Sequence, residues 1–65
     1  MTDTTKQETR ILKVLINYVN NYSIAPSQRE IAKLTGYSVG YVNRLLQTLK
    51  KKKIVKKCNN KYLPI

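Results

Sequence analysis

Two helix-start signals stand close together in the middle of this chain and leave it few folds to choose from. Ser27, with Glu30 three residues on, has the spacing of a capping box, in which each side chain satisfies a backbone N–H that the first turn leaves unpaired. Ser38 is a second N-cap residue, and only Gly36 and Tyr37 separate it from the preceding helix. A short helix must therefore bend sharply into a second one. Sixty-five residues allow one small domain, 1–65. A chain of this length buries only about 60% of the surface its unfolded form exposes, so the core is marginal.

The rest of the chain reads outward from that corner. Residues 1–4 form a polar tail. A first helix is expected over Thr5–Tyr22, with Ile11, Leu12, Leu15, Tyr18, Val19 and Tyr22 at helical spacing and Lys13, Asn17 and Asn20 opposite. Val14 and Ile16 widen this apolar arc to roughly 200°, twice what one packed face needs. Either the other elements wrap around the helix, or one edge of the arc meets a second copy. Asn20 and Asn21 tolerate the left-handed backbone that ends helices. Ile24 is a candidate for a very short strand ahead of Pro26. The second helix buries Ile31, Ala32 and Leu34 and ends at Gly36. The third covers Val39 to Lys51 with Val42, Leu45, Leu46 and Leu49 as its apolar stripe. Residues 54–58 and 61–65 then flank Asn59-Asn60, a tight-turn pair, and Pro64 suits only an edge strand. The fold class is mainly α with a small β-hairpin.

Charge is distributed unevenly. Residues 1–30 carry a net +1, whereas residues 31–65 hold nine Lys and Arg and no acid. An excess of this kind seeks a polyanion, although lysine runs also serve as solvated surface. The outward side of the third helix presents Gly40, Tyr41, Asn43, Arg44 and Gln47, residues suited to hydrogen bonding rather than to solvent-facing ion pairs.

Other chemistries find little support. The chain has no His, and its three acids are Asp3 in the tail, Glu8 on the first helix and Glu30 as a cap. No nucleophile–base set, paired carboxylates or phosphate-cradling loop follows, so no catalytic residue is assigned and an enzyme is not expected. One cysteine, Cys58, provides neither an internal disulfide nor a metal site. No cofactor or small-molecule ligand is indicated. The longest apolar run, Val14-Leu15-Ile16, is far below a membrane span, and Met1 to Arg10 is too polar for a secretory signal. A cytoplasmic protein associated with the nucleoid is expected.

Residues 27–46, from Ser27 through Ala32, Gly36, Val42 and Leu45, resemble a helix-turn-helix. With the hairpin at 54–65, the chain resembles the winged helix-turn-helix domains of MarR-type regulators and of the LexA repressor N-terminus. The resemblance covers roughly Pro26 to Tyr62, with the helix-turn-helix at 27–51. Ala32 gives a small residue where two helices cross and Gly36 a flexible bend. It implies a recognition helix in a DNA major groove about 12 Å wide. Arg44 would then pair with guanine, Asn43 or Gln47 with adenine, and Tyr41 with a thymine methyl or a phosphate. Backbone or wing contacts would come from Ser27, Gln28, Arg29, Ser38, Gly40, Lys50, Lys53, Lys56, Lys57, Asn59, Asn60 and Lys61. The five tyrosines also invite stacking on single-stranded bases; Tyr18 and Tyr22 read as core and Tyr37 as filling the turn, which leaves Tyr41 and Tyr62 as the contacts for that reading. Where these families usually carry Gly before the first wing strand, this chain has Lys53. Either a left-handed Lys53 is held at a cost of about 1 kcal/mol, or the helix end is rearranged.

Three functions compete at this level. The first is sequence-specific binding of double-stranded DNA by a small transcriptional regulator or a phage- or plasmid-type control protein, acting as a homodimer at least on DNA. The second is an architectural protein binding DNA through lysine without reading sequence. In the third, the same fold is a protein- or RNA-interaction module. The face of Asn43, Arg44 and Gln47 favours the first over the second, and the basic C-terminal half argues against the third.

Overall fold

The computed structural model describes residues 4–65, so Asp3 and the rest of residues 1–3 in the expected tail lie outside the described residues. Thr4 belongs to the fold: its Oγ1 lies 2.8 Å from Thr9 Oγ1 in a hydrogen bond. Three helices, α1 (Lys6–Tyr22), α2 (Gln28–Thr35) and α3 (Val39–Lys51), precede a hairpin of β1 (Val55–Cys58) and β2 (Lys61–Pro64).

Each helix opens on a hydroxyl side chain. Thr5, Ser27 and Ser38 all have extended backbones and accept a bond from the third residue of their helices. The full reciprocal capping box belongs to α1. Glu8 N–H donates to Thr5 Oγ1 at 3.1 Å, and Thr5 N–H donates to Glu8 Oε1 at 2.8 Å. At α2 only half of the expected box forms, with Glu30 N–H donating to Ser27 Oγ at 3.2 Å. Among the described residues, Ile24 joins no strand, and the sheet has two strands. The helix also passes through Asn20 and Asn21. Ser23, at φ 60°, is the left-handed residue that ends it, its N–H donating to Val19 C=O.

The core gathers Ile11 and Leu15 of α1, Ile31 of α2, Val42, Leu45, Leu46 and Leu49 of α3, and Val55 and Tyr62 of the hairpin. Three sequence expectations change here. Tyr22, the last residue of α1, is 62% exposed, past Leu15 where the buried residues of that helix end, and its ring lies against Tyr18 with centroids 4.6 Å apart. Leu34 is 52% exposed, since α2 turns Ile31 and Thr35 inward and leaves Leu34 to the side. Tyr62 is buried and anchors the hairpin, so it is not an outward contact. The wide apolar arc of α1 is covered in part: Val14 packs against the core, whereas Ile16 remains exposed.

Thr35 stabilises the corner between α2 and α3. Its Oγ1 donates to Ile31 C=O at 2.7 Å and accepts from Tyr37 N–H at 3.3 Å. Gly36 follows at φ 80°, where a Cβ would crowd the following carbonyl.

At the other end of α3, Lys53 is left-handed at φ 62°. Its N–H donates to Lys50 C=O, and Ile54 N–H donates to Leu49 C=O, both at 3.0 Å. This is a Schellman closure with lysine in place of glycine. The helix end is thus not rearranged, and Lys53 carries the conformational cost. The hairpin turn uses Asn59 and Asn60, both at positive φ, and pairs Cys58 with Lys61 and Val55 with Pro64.

Candidate nucleic-acid interface

The outward side of α3 is built by subtraction. Val42, Leu45, Leu46 and Leu49 take the inner stripe, which leaves Gly40, Tyr41, Arg44 and Gln47 exposed and Asn43 half-buried at its edge. Gln47 Nε2 donates to Asn43 Oδ1 at 2.8 Å. That bond orients both amides, leaving the Asn43 Nδ2 donor and the Gln47 Oε1 acceptor available. No ion pair engages Arg44 among the described residues. Tyr41 meets Tyr37 edge to face, with ring centroids 5.2 Å apart. A Cβ on Gly40 would meet no atom within 4 Å, so packing within the chain does not require glycine there.

Basic side chains flank this face at its C-terminal end. Lys50, Lys51 and Lys53 are exposed, and in the hairpin Lys56, Lys57, Asn59, Asn60 and Lys61 are exposed as well. Gln47, Lys50, Lys51, Lys57 and Tyr62 line one shallow groove between α3 and the hairpin. The structure therefore brings an expected reading residue, Gln47, together with expected backbone residues, Lys50 and Lys57. Lys57 Nζ lies 5.9 Å from the Tyr62 ring centroid, so the buried tyrosine also supports a wing lysine. Ser27, Gln28 and Arg29 sit apart from this groove, at the start of α2. Ser38 is an exposed N-cap, accepting from Tyr41 N–H at 3.2 Å.

One lysine of the run is engaged inside the fold. Lys52 Nζ donates to Glu8 Oε1 at 2.9 Å, tying the start of α1 to the end of α3. Burial alone would raise the Glu8 carboxyl's pKa, but bonds from the Thr5 N–H and Lys52, with the ammonium's charge, hold it below the ordinary carboxylate value. Sequence reasoning missed this pair because 44 residues separate its members. The Thr5-x-x-Glu8 spacing was nevertheless present as a cap signal. It also missed Thr35, whose signal is a hydroxyl residue just ahead of the helix-ending glycine.

Among the described residues, no helix is long and apolar enough to cross a membrane, and no group of three metal-ligating side chains forms. The model of a known family, described as the LexA DNA binding domain, matches residues 1–62 of the chain. No curated protein matches it.

Proposed function

The chain belongs to the LexA DNA-binding domain family, and from that premise we propose that it is a sequence-specific reader of duplex DNA, a small regulator of transcription. The observation that carries this reading is the α3 face on which Arg44 is exposed without an ion pair among the described residues and the Asn43 and Gln47 amides are oriented by one bond. A guanidinium fork matches guanine O6 and N7, and a free amide donor and acceptor side by side match adenine N7 and N6. Tyr41 would meet a thymine methyl or a phosphate from the same face. Lys50, Lys53, Lys56, Lys57 and Lys61, with Asn59 and Asn60 at the hairpin tip, would hold the backbone on the wing side. Ser27, Gln28, Arg29 and Ser38 would hold it at the two helix starts, where unpaired N–H groups favour anions. Gly40 would let a DNA strand approach α3 closely.

One recognition helix reads few base pairs, so two copies are expected on one site. Exposed Ile16, rather than half-buried Val14, is the edge of α1 left for such a contact.

The test is selection of bound sites from random duplex DNA, followed by affinity against salt. An enriched motif with two related half-sites is expected. With about five to seven cations on phosphate, log K should fall against log salt with a slope near −5 to −6. Tight binding with no enriched motif would favour a packaging role, and a slope near zero would remove duplex DNA as the main partner.

A further inference from the structure

Three cations on α1 have no part in the interface just described. Lys6, Arg10 and Lys13 recur at the spacing of one helical face and are all exposed. With Thr4, Gln7, Thr9 and Tyr37 they line a shallow groove that has no acidic residue among the described residues. Glu8, the acid nearest in sequence, faces the core and is held by Lys52 and Thr5. The arrangement is poor for the helix itself. Like charges four residues apart repel, and cations near a helix start oppose its dipole. Among the described residues, no acidic side chain is paired with any of the three.

The position of the strip indicates its use. Arg10 Cζ lies 5.9 Å from the Tyr37 ring centroid, and Tyr37 meets Tyr41 of the recognition helix edge to face. Arg10 is therefore joined through two ring contacts to a side chain on the reading face. A guanidinium held over a ring by a cation–π contact keeps its N–H fork available for phosphate oxygens. Tyr37 precedes the N-cap of α3, while the wing follows its C-terminus.

We propose that Lys6, Arg10 and Lys13 form a second DNA-backbone contact, at the opposite end of the recognition helix from the wing. Tyr37 is the positioning residue that aims Arg10. This inference rests on the reading of the chain as a duplex-DNA binder. The duplex is then gripped at both ends of α3, by the wing at one and by α1 at the other, and the α1 grip adds affinity without adding base identity.

The experiment compares the wild type, Arg10→Ala, Arg10→Lys and Arg44→Ala on a selected and a scrambled duplex at several salt concentrations, with folding checked by circular dichroism. Arg10→Ala should weaken both duplexes equally, about three- to ten-fold, and make the salt slope shallower by about one unit. Arg10→Lys should keep the slope and lose only part of the affinity, because charge remains but the planar guanidinium fork is gone. Ethylation interference on the wild-type complex should show phosphates whose signal disappears with Arg10→Ala. Unchanged affinity and slope for Arg10→Ala, while Arg44→Ala still loses its site, would overturn the α1 contact and leave the DNA reading intact. A loss confined to the selected duplex would also overturn it, since that is base reading. A wild type that binds neither duplex would overturn both.

Discussion

In the helical body every element contributes buried apolar side chains: Ile11 and Leu15 from α1, Ile31 from α2, and four residues from α3. In the hairpin each strand contributes one, Val55 or Tyr62, and the rest of β1 is exposed. The body is held by its own packing, whereas the hairpin depends on the body. The difference has a functional side. In the proposed reading, a wing that buries little can present Lys56, Lys57 and Lys61 to a backbone and adjust to it, while α3, packed along its whole inner stripe, would hold Asn43, Arg44 and Gln47 in fixed relation for reading bases.

The largest effect should come from removing the hairpin's anchor. Tyr62→Ala is expected to cost about 3 kcal/mol, with the loss concentrated in the wing. Amide exchange should speed up far more in residues 55–64 than at Leu46, and affinity for selected and scrambled DNA should fall together. Equal acceleration in both regions would show that body and hairpin open as one unit.

A smaller loss should follow from Glu8→Gln, which removes the charge that joins α1 to the root of the wing. Lys52 keeps a third of its side chain in solvent, so the expected cost near neutral pH is about 1–2 kcal/mol. The sign with pH is fixed by the lowered pKa of Glu8. The unfolded carboxyl takes up its proton first, so this stabilisation is fully present above pH 4.5 and is lost as pH falls through the folded value. Chemical denaturation at several pH values should show wild type and variant converging in acid. A constant difference would contradict the ion pair as its source.

The smallest effect is a gain. Lys53→Gly should stabilise the fold by about 1 kcal/mol, because glycine adopts φ 62° freely at the Schellman closure. Binding should weaken at the same time if the Lys53 charge meets phosphate. A more stable variant with unchanged affinity would place that lysine outside the interface.

Much of this architecture was legible because its signals are local. Ser38, the stripe Val42–Leu45–Leu46–Leu49 and the Asn59-Asn60 turn each specify geometry within a few residues, and α3 and the hairpin turn follow from them. What escaped depends on neighbours distant in sequence. Helical periodicity cannot tell which apolar residue finds a packing partner, so it places Tyr22 and Leu34 inside although both are exposed. Tyr62 reads as a contact in the sequence because its core partners, on other elements, are invisible in a strand of four residues. The ion pair of Glu8 and Lys52 needs the fold to exist before it can be seen. Likewise, the link from Arg10 to the third helix is visible only once the fold sets Tyr37 beside it.

The division between a reading helix and a gripping wing is the central claim, and one pair of variants tests it most directly. Affinity of Arg44→Ala and Lys57→Ala for selected and scrambled duplexes, each at two salt concentrations, separates the roles. Arg44→Ala should cost about 1–3 kcal/mol on the selected site and little on the scrambled one. Lys57→Ala should weaken both by a similar, smaller amount and make the salt slope shallower by about one unit. If Arg44→Ala instead lowers both affinities equally, α3 does not read bases, and the chain grips DNA without choosing where.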